Sequence, residues 1–105
     1  IQSGLCAVIV PHTTAAVTVN SSLDAATPDD IIADLRRLVP TRVDFKHQYD
    51  TPADAAGHIK AAIIGHSITL AVENGDLLLG GSQSILFYEF DGPRQRHVQV
   101  KVVAG

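Results

Sequence analysis

Residues 5–20 have the sequence LCAVIVPHTTAAVTVN, in which two strand-forming segments flank a polar PHTT turn. The unbroken apolar run 5–10 is typical of a strand buried on both faces, because a solvent face would bring in alternating polar residues. Residues 15–19 predict a second strand, with Ala15, Val17 and Val19 on one face of the pleat. The fold therefore begins with two strands joined by a short polar connection.

Two helices are predicted after these strands, each opened by a Thr-Pro pair. In the first, Thr27 is a suitable N-cap with Pro28 at the first helical position. Ile31, Leu35 and Leu38 recur at helical spacing and form one apolar stripe, and a proline at position 40 ends the helix. The second helix is predicted over residues 52–64, between an N-cap at Thr51 and a stop at Gly65.

The remaining chain alternates strands with turn signals. Asn74-Gly75 is the strongest short hairpin signal in the chain. Around it we predict strands over residues 67–72, 77–79, 85–90 and 96–103, a loop over 41–50, and hairpins as the main connection between strands. Six strands and two helices in this arrangement predict an α+β fold, a largely antiparallel β-sandwich with two helices.

Length and composition exclude several classes of protein. A chain of 105 residues is the size of a single domain. A net charge of −3 argues against nucleic-acid binding. No apolar run reaches the length of a membrane span, so we expect no membrane association. Cys6 is the single cysteine and cannot form an internal disulfide, which fits a reducing compartment and a cytoplasmic protein.

Glu89 breaks the apolar pattern of its strand. It shares a face with Ile85 and Phe87, while the opposite face is also apolar, so its carboxylate is expected to be half-buried. A buried carboxylate needs a cation, a metal or a hydrogen-bond donor as its partner. The alternative is an edge residue whose carboxylate reaches water.

Three histidines lie where they can act together. His12 follows the end of a buried strand, His47 lies in the polar loop, and His58 lies on the second helix. Three protein ligands and a water are the arrangement of a catalytic zinc site. The spacing matches no compact zinc motif, so separate, unrelated histidines remain the alternative. His66 and His97 are read as a helix-end residue and a solvent-facing residue.

Asp54 has two possible roles. It stands four residues before His58, so the two side chains share a helix face and the carboxylate can orient the imidazole. It also occupies the capping-box position after Thr51, and the sequence favours this capping role.

The polar segment near the C-terminus offers candidate anion ligands. Arg94 and Arg96 flank a turn and can clamp an anion, although exposed arginines at a turn need no such role. The loop GGSQS at residues 80–84 lacks the lysine of a phosphate-binding loop and is read as a plain connection.

The order of these motifs strongly resembles the YjbQ-type family, often labelled secondary thiamine-phosphate synthase. The shared positions cover almost the whole chain. They are PHTTAAVTVN at 11–20, Asp24 and Asp30, Val39-Pro40, Phe45-x-His47, Asp54-x-x-x-His58-Ile59-Lys60, Gly65-x-Ser67, Gly75, Gly80, Gln83, Glu89 and the arginines after Gly92. The chain departs from the family in two segments: Ser21 replaces a glutamate, and GGSQS at 80–84 replaces a Gly-Thr-Trp-Gln-Gly loop, so that Ser82 stands where a tryptophan is expected in the pocket wall.

The resemblance implies a fold, an assembly and a site. It implies a single YjbQ-like domain over residues 1–105 that lacks an upstream strand and helix, and a homotrimer with a polar cleft near the subunit contacts. His12, His47 and His58 would be metal ligands for zinc or magnesium. Catalytic roles would fall to His58, Asp54, Glu89 and Lys60, and small anionic or phosphorylated ligands would contact His12, Asn20, Asp24, Gln83, Arg94 and Arg96.

The implied activity joins a pyrimidine diphosphate to a thiazole phosphate and releases diphosphate, for which Lys60, Arg94 and Arg96 are the available cations. Two alternatives stay open beside this enzyme. One is a metal- or anion-binding trimer without turnover, and the other is a structural module whose polar residues tie subunits together.

Overall fold

The computed structural model describes residues 1–48 and 50–105 of the chain. Its elements, in order, are β1 (Ser3–Ile9), β2 (Ala15–Asn20), α1 (Ala26–Leu38), α2 (Pro52–Ile64), β3 (Ser67–Glu73), β4 (Asp76–Leu77), β5 (Ser84–Glu89) and β6 (Gln99–Ala104). The fold is α+β, as predicted. Within these residues, no helix combines the length and apolar character needed to cross a membrane.

The strands form two antiparallel sheets whose connections are mostly long-range. One sheet has the order β4-β3-β1-β6, and β2 and β5 form a separate two-stranded ribbon. In the described chain only β3 and β4 are a hairpin of consecutive strands, so the prediction that hairpins dominate was wrong. The predicted turn is correct, since Asn74 and Gly75 both have positive φ angles of 53° and 78°.

The ribbon is the middle layer of the molecule. One apolar cluster lies between the ribbon and the larger sheet and contains Cys6, Val8, Val10, Ala15, Val17 and Val72. A second cluster lies between the ribbon and the helices and contains Ala16, Leu35, Ala61, Tyr88 and Phe90. Because successive residues of a strand face opposite sides, β2 contributes to both clusters and is buried on both faces near its start.

The strand β1 is buried on one face only, contrary to prediction. Cys6 and Val8 lie in the core, whereas Leu5 is 56% exposed. Leu5 pairs with Val103 of β6 and Ala71 of β3 on the outer face of the sheet. No element among those described covers that face, so the apolar run does not mean two-sided burial here.

The helix α1 begins earlier than the sequence predicted. Its N-cap is Ala25, and Thr27 lies inside the first turn. The Asp24 carboxylate accepts a hydrogen bond from the backbone N–H of Ala26 at 2.9 Å. Asp24 therefore binds a free N–H group at the start of the helix, which is the role predicted for Thr27. The predicted apolar stripe also ends early, because Leu38 is 77% exposed.

The helix α2 has the predicted bounds, whereas β6 is shorter than predicted. Thr51 caps α2 and Gly65 follows it with a φ of 107°, a backbone conformation that favours glycine. The last strand begins at Gln99 and not at residue 96. Arg96 lies before the strand, and its side chain turns back onto Glu89 of β5.

Candidate functional site

A polar centre lies at the N-terminal end of α2. The Thr51 hydroxyl accepts a hydrogen bond from the backbone N–H of Asp54 at 3.2 Å and fixes the first turn of the helix. His58 lies one turn further along the same face. His47 reaches the centre from the loop before the helix. Two short elements of sequence thus supply all three side chains.

The two imidazoles point at one carboxylate oxygen. Asp54 Oδ2 lies 2.7 Å from His47 Nε2 and 3.3 Å from His58 Nε2. The rings meet edge to face with their centroids 5.1 Å apart. The Asp54 carboxylate therefore orients the histidines, while the hydroxyl of Thr51 provides the helix cap. The capping role that the sequence favoured for the Asp54 side chain is not the one the contacts show.

The electrostatics of the centre keep Asp54 charged. The hydrogen bond from His47 lowers the pKa of the Asp54 carboxyl, and His58 adds to this effect. Burial acts in the opposite direction, since only 9% of Asp54 is exposed. An ionised carboxylate accepts hydrogen bonds only, so the Nε2 atom of His47 carries the proton in this contact.

Two further carboxylates, Asp50 and Asp91, lie next to Asp54. Ligand oxygens of the three residues are within 4.8 Å of one another. The guanidinium of Arg94 donates to the Asp91 carboxylate at 2.7 Å and to the Asp50 carboxylate at 3.1 Å. These two bonds raise the pKa of Arg94. Sequence reasoning missed both carboxylates, although Asp91 directly follows the predicted strand that carries Glu89.

The partner of the Glu89 carboxylate is Arg96, a cation, which is one of the kinds of partner that the sequence left open. The Nε atom of Arg96 donates to Glu89 Oε1 at 2.7 Å, and Nη2 donates to Glu89 Oε2 and to the Thr14 hydroxyl. The hydrogen bond from Arg96 lowers the pKa of the Glu89 carboxyl, although burial opposes it. Glu89 Oε2 also accepts the backbone N–H of Asp91 at 3.1 Å. The ion pair thus holds the Asp91 backbone beside the centre.

Lys60 lies on a different side of α2. It is buried, and its Nζ atom is 6.0 Å from the ring centroid of Phe90. Burial lowers the pKa of the Lys60 ammonium, and the nearby charge of Arg36 lowers it further. The side chain therefore packs toward the second apolar cluster, whereas the family resemblance implied that it lies with the histidines.

His12 does not join the other two histidines. Its Nε2 atom accepts a hydrogen bond from the backbone N–H of His97 at 2.8 Å, and the two rings stack with centroids 6.1 Å apart. Among the described residues, two groups could hold a metal, His47 with Asp54 and His58, and Asp50 with Asp54 and Asp91, and neither contains His12. The sequence assigned His97 to solvent, and no pattern in the chain indicated this pair.

Three predicted ligand residues lie at the far end of the ribbon. Ala15 pairs with Glu89, and Asn20 pairs with Ser84. Asn20 is five residues from Ala15, which places it about 17 Å from that end of the ribbon. Gln83 precedes Ser84 and Asp24 opens α1, so a single chain does not bring these residues to the histidines.

Two cavities flank the wall that Phe45 and His47 form. One has a volume of about 440 Å³ and borders both His47 and His58. The other, of about 260 Å³, borders His47 alone among the residues of the centre. A small molecule in the larger cavity can therefore reach both imidazoles of the centre.

The fold and this site define a small α+β domain with a histidine–carboxylate centre, and comparisons with known proteins agree on its family. The family model of UPF0047 protein YjbQ-like matches residues 1–105. The chain belongs to this YjbQ/UPF0047 family.

Relatives and solved structures support this membership along most of the chain. The UPF0047 protein of Methanocaldococcus jannaschii is 39% identical over 103 residues, covering 98% of this chain and 72% of the relative. YugU of Bacillus subtilis is 36% identical, covering 98% and 76%. A crystal structure of an uncharacterised YjbQ/UPF0047 protein from Clostridium acetobutylicum superposes with a TM-score of 0.91 at 41% identity, covering 98% and 78%. A hypothetical protein from Aeropyrum pernix K1 also gives 0.91, at 40% identity, covering 99% and 76%.

Proposed function

We propose that the protein is a metal-dependent enzyme that acts on small phosphorylated metabolites, with one divalent ion bound by His47, Asp54 and His58. The observation that carries this proposal is the convergence of three ligand groups within 4.8 Å of one another. Two imidazoles and a carboxylate are a known ligand set of catalytic zinc, with a fourth position left for water or substrate.

The spacing of the three groups is close to that of zinc ligands. Two ligand atoms bound tetrahedrally at zinc distances lie about 3.3 Å apart. His58 Nε2 lies 3.3 Å from the Asp54 oxygen, and His47 Nε2 lies 2.7 Å from it in a hydrogen bond that would lengthen when the ion replaces the proton. Magnesium, the other ion suggested by the sequence, prefers oxygen ligands in an octahedron, so the two imidazoles favour zinc.

The remaining residues have supporting roles in this proposal. Bound zinc would supply Lewis acidity toward a phosphoryl oxygen and a bound water of lowered pKa. Asp54 holds both imidazole nitrogens together in the metal-free site and would become a ligand itself when the ion binds, and Asp91 keeps a carboxylate beside the centre. Glu89 acts as a positioning residue through its bond to the Asp91 backbone, and Arg96 neutralises its charge.

Thiamine-phosphate synthase activity is the specific form of this proposal that the family resemblance suggests. It calls for cations near a leaving diphosphate. Arg94 and Arg96 already pair with carboxylates, and Lys60 is buried against Phe90. We therefore rank phosphoryl chemistry in general ahead of this particular transfer, and propose the pyrimidine diphosphate and thiazole phosphate as one substrate pair to assay.

A homotrimer is the assembly that we propose for the active protein. The edge strand β6 exposes apolar side chains on both of its faces: Val103 lies beside the exposed Leu5 on the outer face, and Val100 and Val102 lie on the other face. Contiguous apolar residues on a sheet face favour contact with another subunit. Sedimentation equilibrium measures this assembly directly, and a monomer at micromolar concentration contradicts it.

Elemental analysis of the purified protein tests the metal site. We expect about one zinc per chain, and loss of that zinc in the His47→Ala/His58→Ala double variant with the fold retained by circular dichroism. His66→Ala is the matched control, since His66 is exposed beyond the end of α2 and should leave the zinc content unchanged.

Two results contradict the metal proposal. One is an absence of transition metal from both proteins after incubation with zinc. The other is equal zinc content in the double variant and the wild type. Zinc that binds without turnover of any phosphorylated substrate would instead favour the metal-binding trimer without its own activity.

A further inference from the structure

The larger of the two cavities at the centre lies between the loop before α2 and the first turns of that helix. Its volume is about 440 Å³, within the roughly 300–1,000 Å³ range of small-molecule sites. Six residues line it: Phe45, Lys46, His47, Ala55, His58 and Ile59. Both imidazoles of the proposed metal site therefore face this one space.

The lining of this cavity combines an apolar wall with one positive charge. Phe45 and Ala55 are buried, and Ile59 is 39% exposed although it is a large apolar side chain. Among the described residues of the lining, Lys46 is the only permanent cation and there is no carboxylate. In the described part of the chain, no carboxylate forms an ion pair with Lys46 within 4.0 Å.

The smaller cavity has the opposite character. It has a volume of about 260 Å³ and includes the carboxylate residue Asp50 in its lining. Its cation, Arg42, lies 2.8 Å from an Asp44 carboxylate oxygen and 4.3 Å from the ring centroid of Phe45. The charge of Arg42 is therefore already compensated, and this cavity touches only one of the two histidines of the centre.

We infer that the larger cavity is the substrate site and that it takes a compact organic phosphate with an apolar, ring-sized body. The phosphate lies between Lys46 and the two histidines, and the body covers Ile59 against Phe45. An isolated cation beside an apolar wall selects a ligand that carries both features in one molecule. This inference rests on the proposed function and adds to it the place and class of the substrate.

Calorimetric titration with phenyl phosphate and with inorganic phosphate tests this inference on the zinc-loaded protein. Phenyl phosphate should bind about tenfold more tightly, because only its ring gains apolar burial. Lys46→Ala should weaken both probes by about tenfold, through the loss of a charge-assisted hydrogen bond. Lys101→Ala removes an exposed lysine on β6 and should change neither affinity.

The apolar wall is tested with a second matched pair on α2. Ile59→Ser should weaken phenyl phosphate by about fivefold and leave inorganic phosphate unchanged, since only the ring contacts this position. Ile63→Ser is the control, because Ile63 is 59% exposed on the same helix and lies outside the cavity. Arg42→Ala should leave the binding of inorganic phosphate unchanged, because Asp44 already compensates the charge of Arg42.

Two results would overturn the assignment: equal affinity for the two probes, or a loss of binding in Arg42→Ala that Lys46→Ala does not show. Zinc content, measured in every variant, separates this failure from that of the metal proposal. The titration is repeated on chelator-treated protein. Phenyl phosphate binding that depends on Lys46 and Ile59 without zinc supports the cavity even if the metal proposal fails.

Discussion

The two ends of the β2–β5 ribbon use their polar side chains differently. At the Glu89 end, Arg96 joins Glu89 to Thr14, two residues that are distant in sequence. At the Asn20 end, Asn20, Asp24 and Gln83 each accept a hydrogen bond from a backbone N–H within three residues, and the long-range bond found there joins two neutral hydroxyls in an exposed setting, those of Ser22 and Ser84. Polar groups of the first kind hold separate segments together, whereas those of the second kind shape a single loop.

Residues that belong to the same family motif therefore have different structural roles. Glu89 and Gln83 were both predicted to belong to the site, yet only the Glu89 network reaches the histidine centre through Asp91. A hydrogen bond within one loop requires only that loop to be folded. The Arg96–Glu89 ion pair instead requires the segments around it to be packed. The two ends should therefore respond very differently to substitution.

The largest difference is expected from removing the partly buried charge at one end. Glu89→Gln leaves Arg96 without its anionic partner, and 12% of the Arg96 side chain and 29% of the Glu89 side chain are exposed. We expect this variant to lose about 2 kcal/mol of unfolding free energy, less than when one partner of a fully buried pair is removed, because water reaches Glu89. Urea denaturation at neutral pH measures this loss.

Gln83→Ala is the control for that substitution at the other end of the ribbon. It removes one exposed side-chain acceptor and should cost about 0.5 kcal/mol. Comparable losses in the two variants would show that the ion pair contributes no more than a loop contact.

Lowering the pH should reproduce part of the loss of unfolding free energy that we expect for Glu89→Gln. The pKa of Glu89 is lowered in the folded protein, so its contribution to stability is fully present above the unfolded pKa. That contribution is lost as the pH falls through the folded pKa. We expect the unfolding free energy of the wild type to fall more steeply with acid than that of Glu89→Gln. Parallel curves in denaturant titrations across this range would contradict the assignment of the ion pair.

A smaller effect distinguishes the two helix starts. Thr51 caps α2 at the polar centre, whereas Thr27 lies inside α1 and its side chain makes no cap bond. Thr51→Ala should therefore cost about 1 kcal/mol of unfolding free energy, and Thr27→Ala less than about 0.5 kcal/mol. Thermal unfolding of both variants measures the difference, and equal midpoints would mean that the Thr51 bond does not stabilise the helix.

Much of the fold was predictable because its signals are local. The bounds of α2 follow from Thr51, Pro52 and Gly65, and the β3–β4 turn follows from Asn74-Gly75. The start of α1 was missed because the same Thr-Pro signal occurs there, while Asp24 already supplies the cap three residues earlier. Residue spacing alone does not decide which of two nearby capping residues, Asp24 or Thr27, begins the helix.

The candidate site was predictable in part for the same reason. Asp54 and His58 share a helix face by spacing, so their meeting was expected. His47 approaches through an aperiodic loop, and Asp91 approaches through the turn after β5, so neither contact has a periodic signal. His12 was grouped with the other histidines by residue type, and its bond to the backbone of His97 depends on the path of a distant segment.

The sequence by itself determined which segments are helix or strand, because capping, turn conformation and apolar alternation act over a few residues. Only the tertiary structure decided which face of β1 is buried, that β1 pairs with both β3 and β6, and that Arg96 neutralises Glu89. Those outcomes depend on contacts between residues far apart in the chain. Their free energy comes from burial and charge pairing that exist only once the layers have packed.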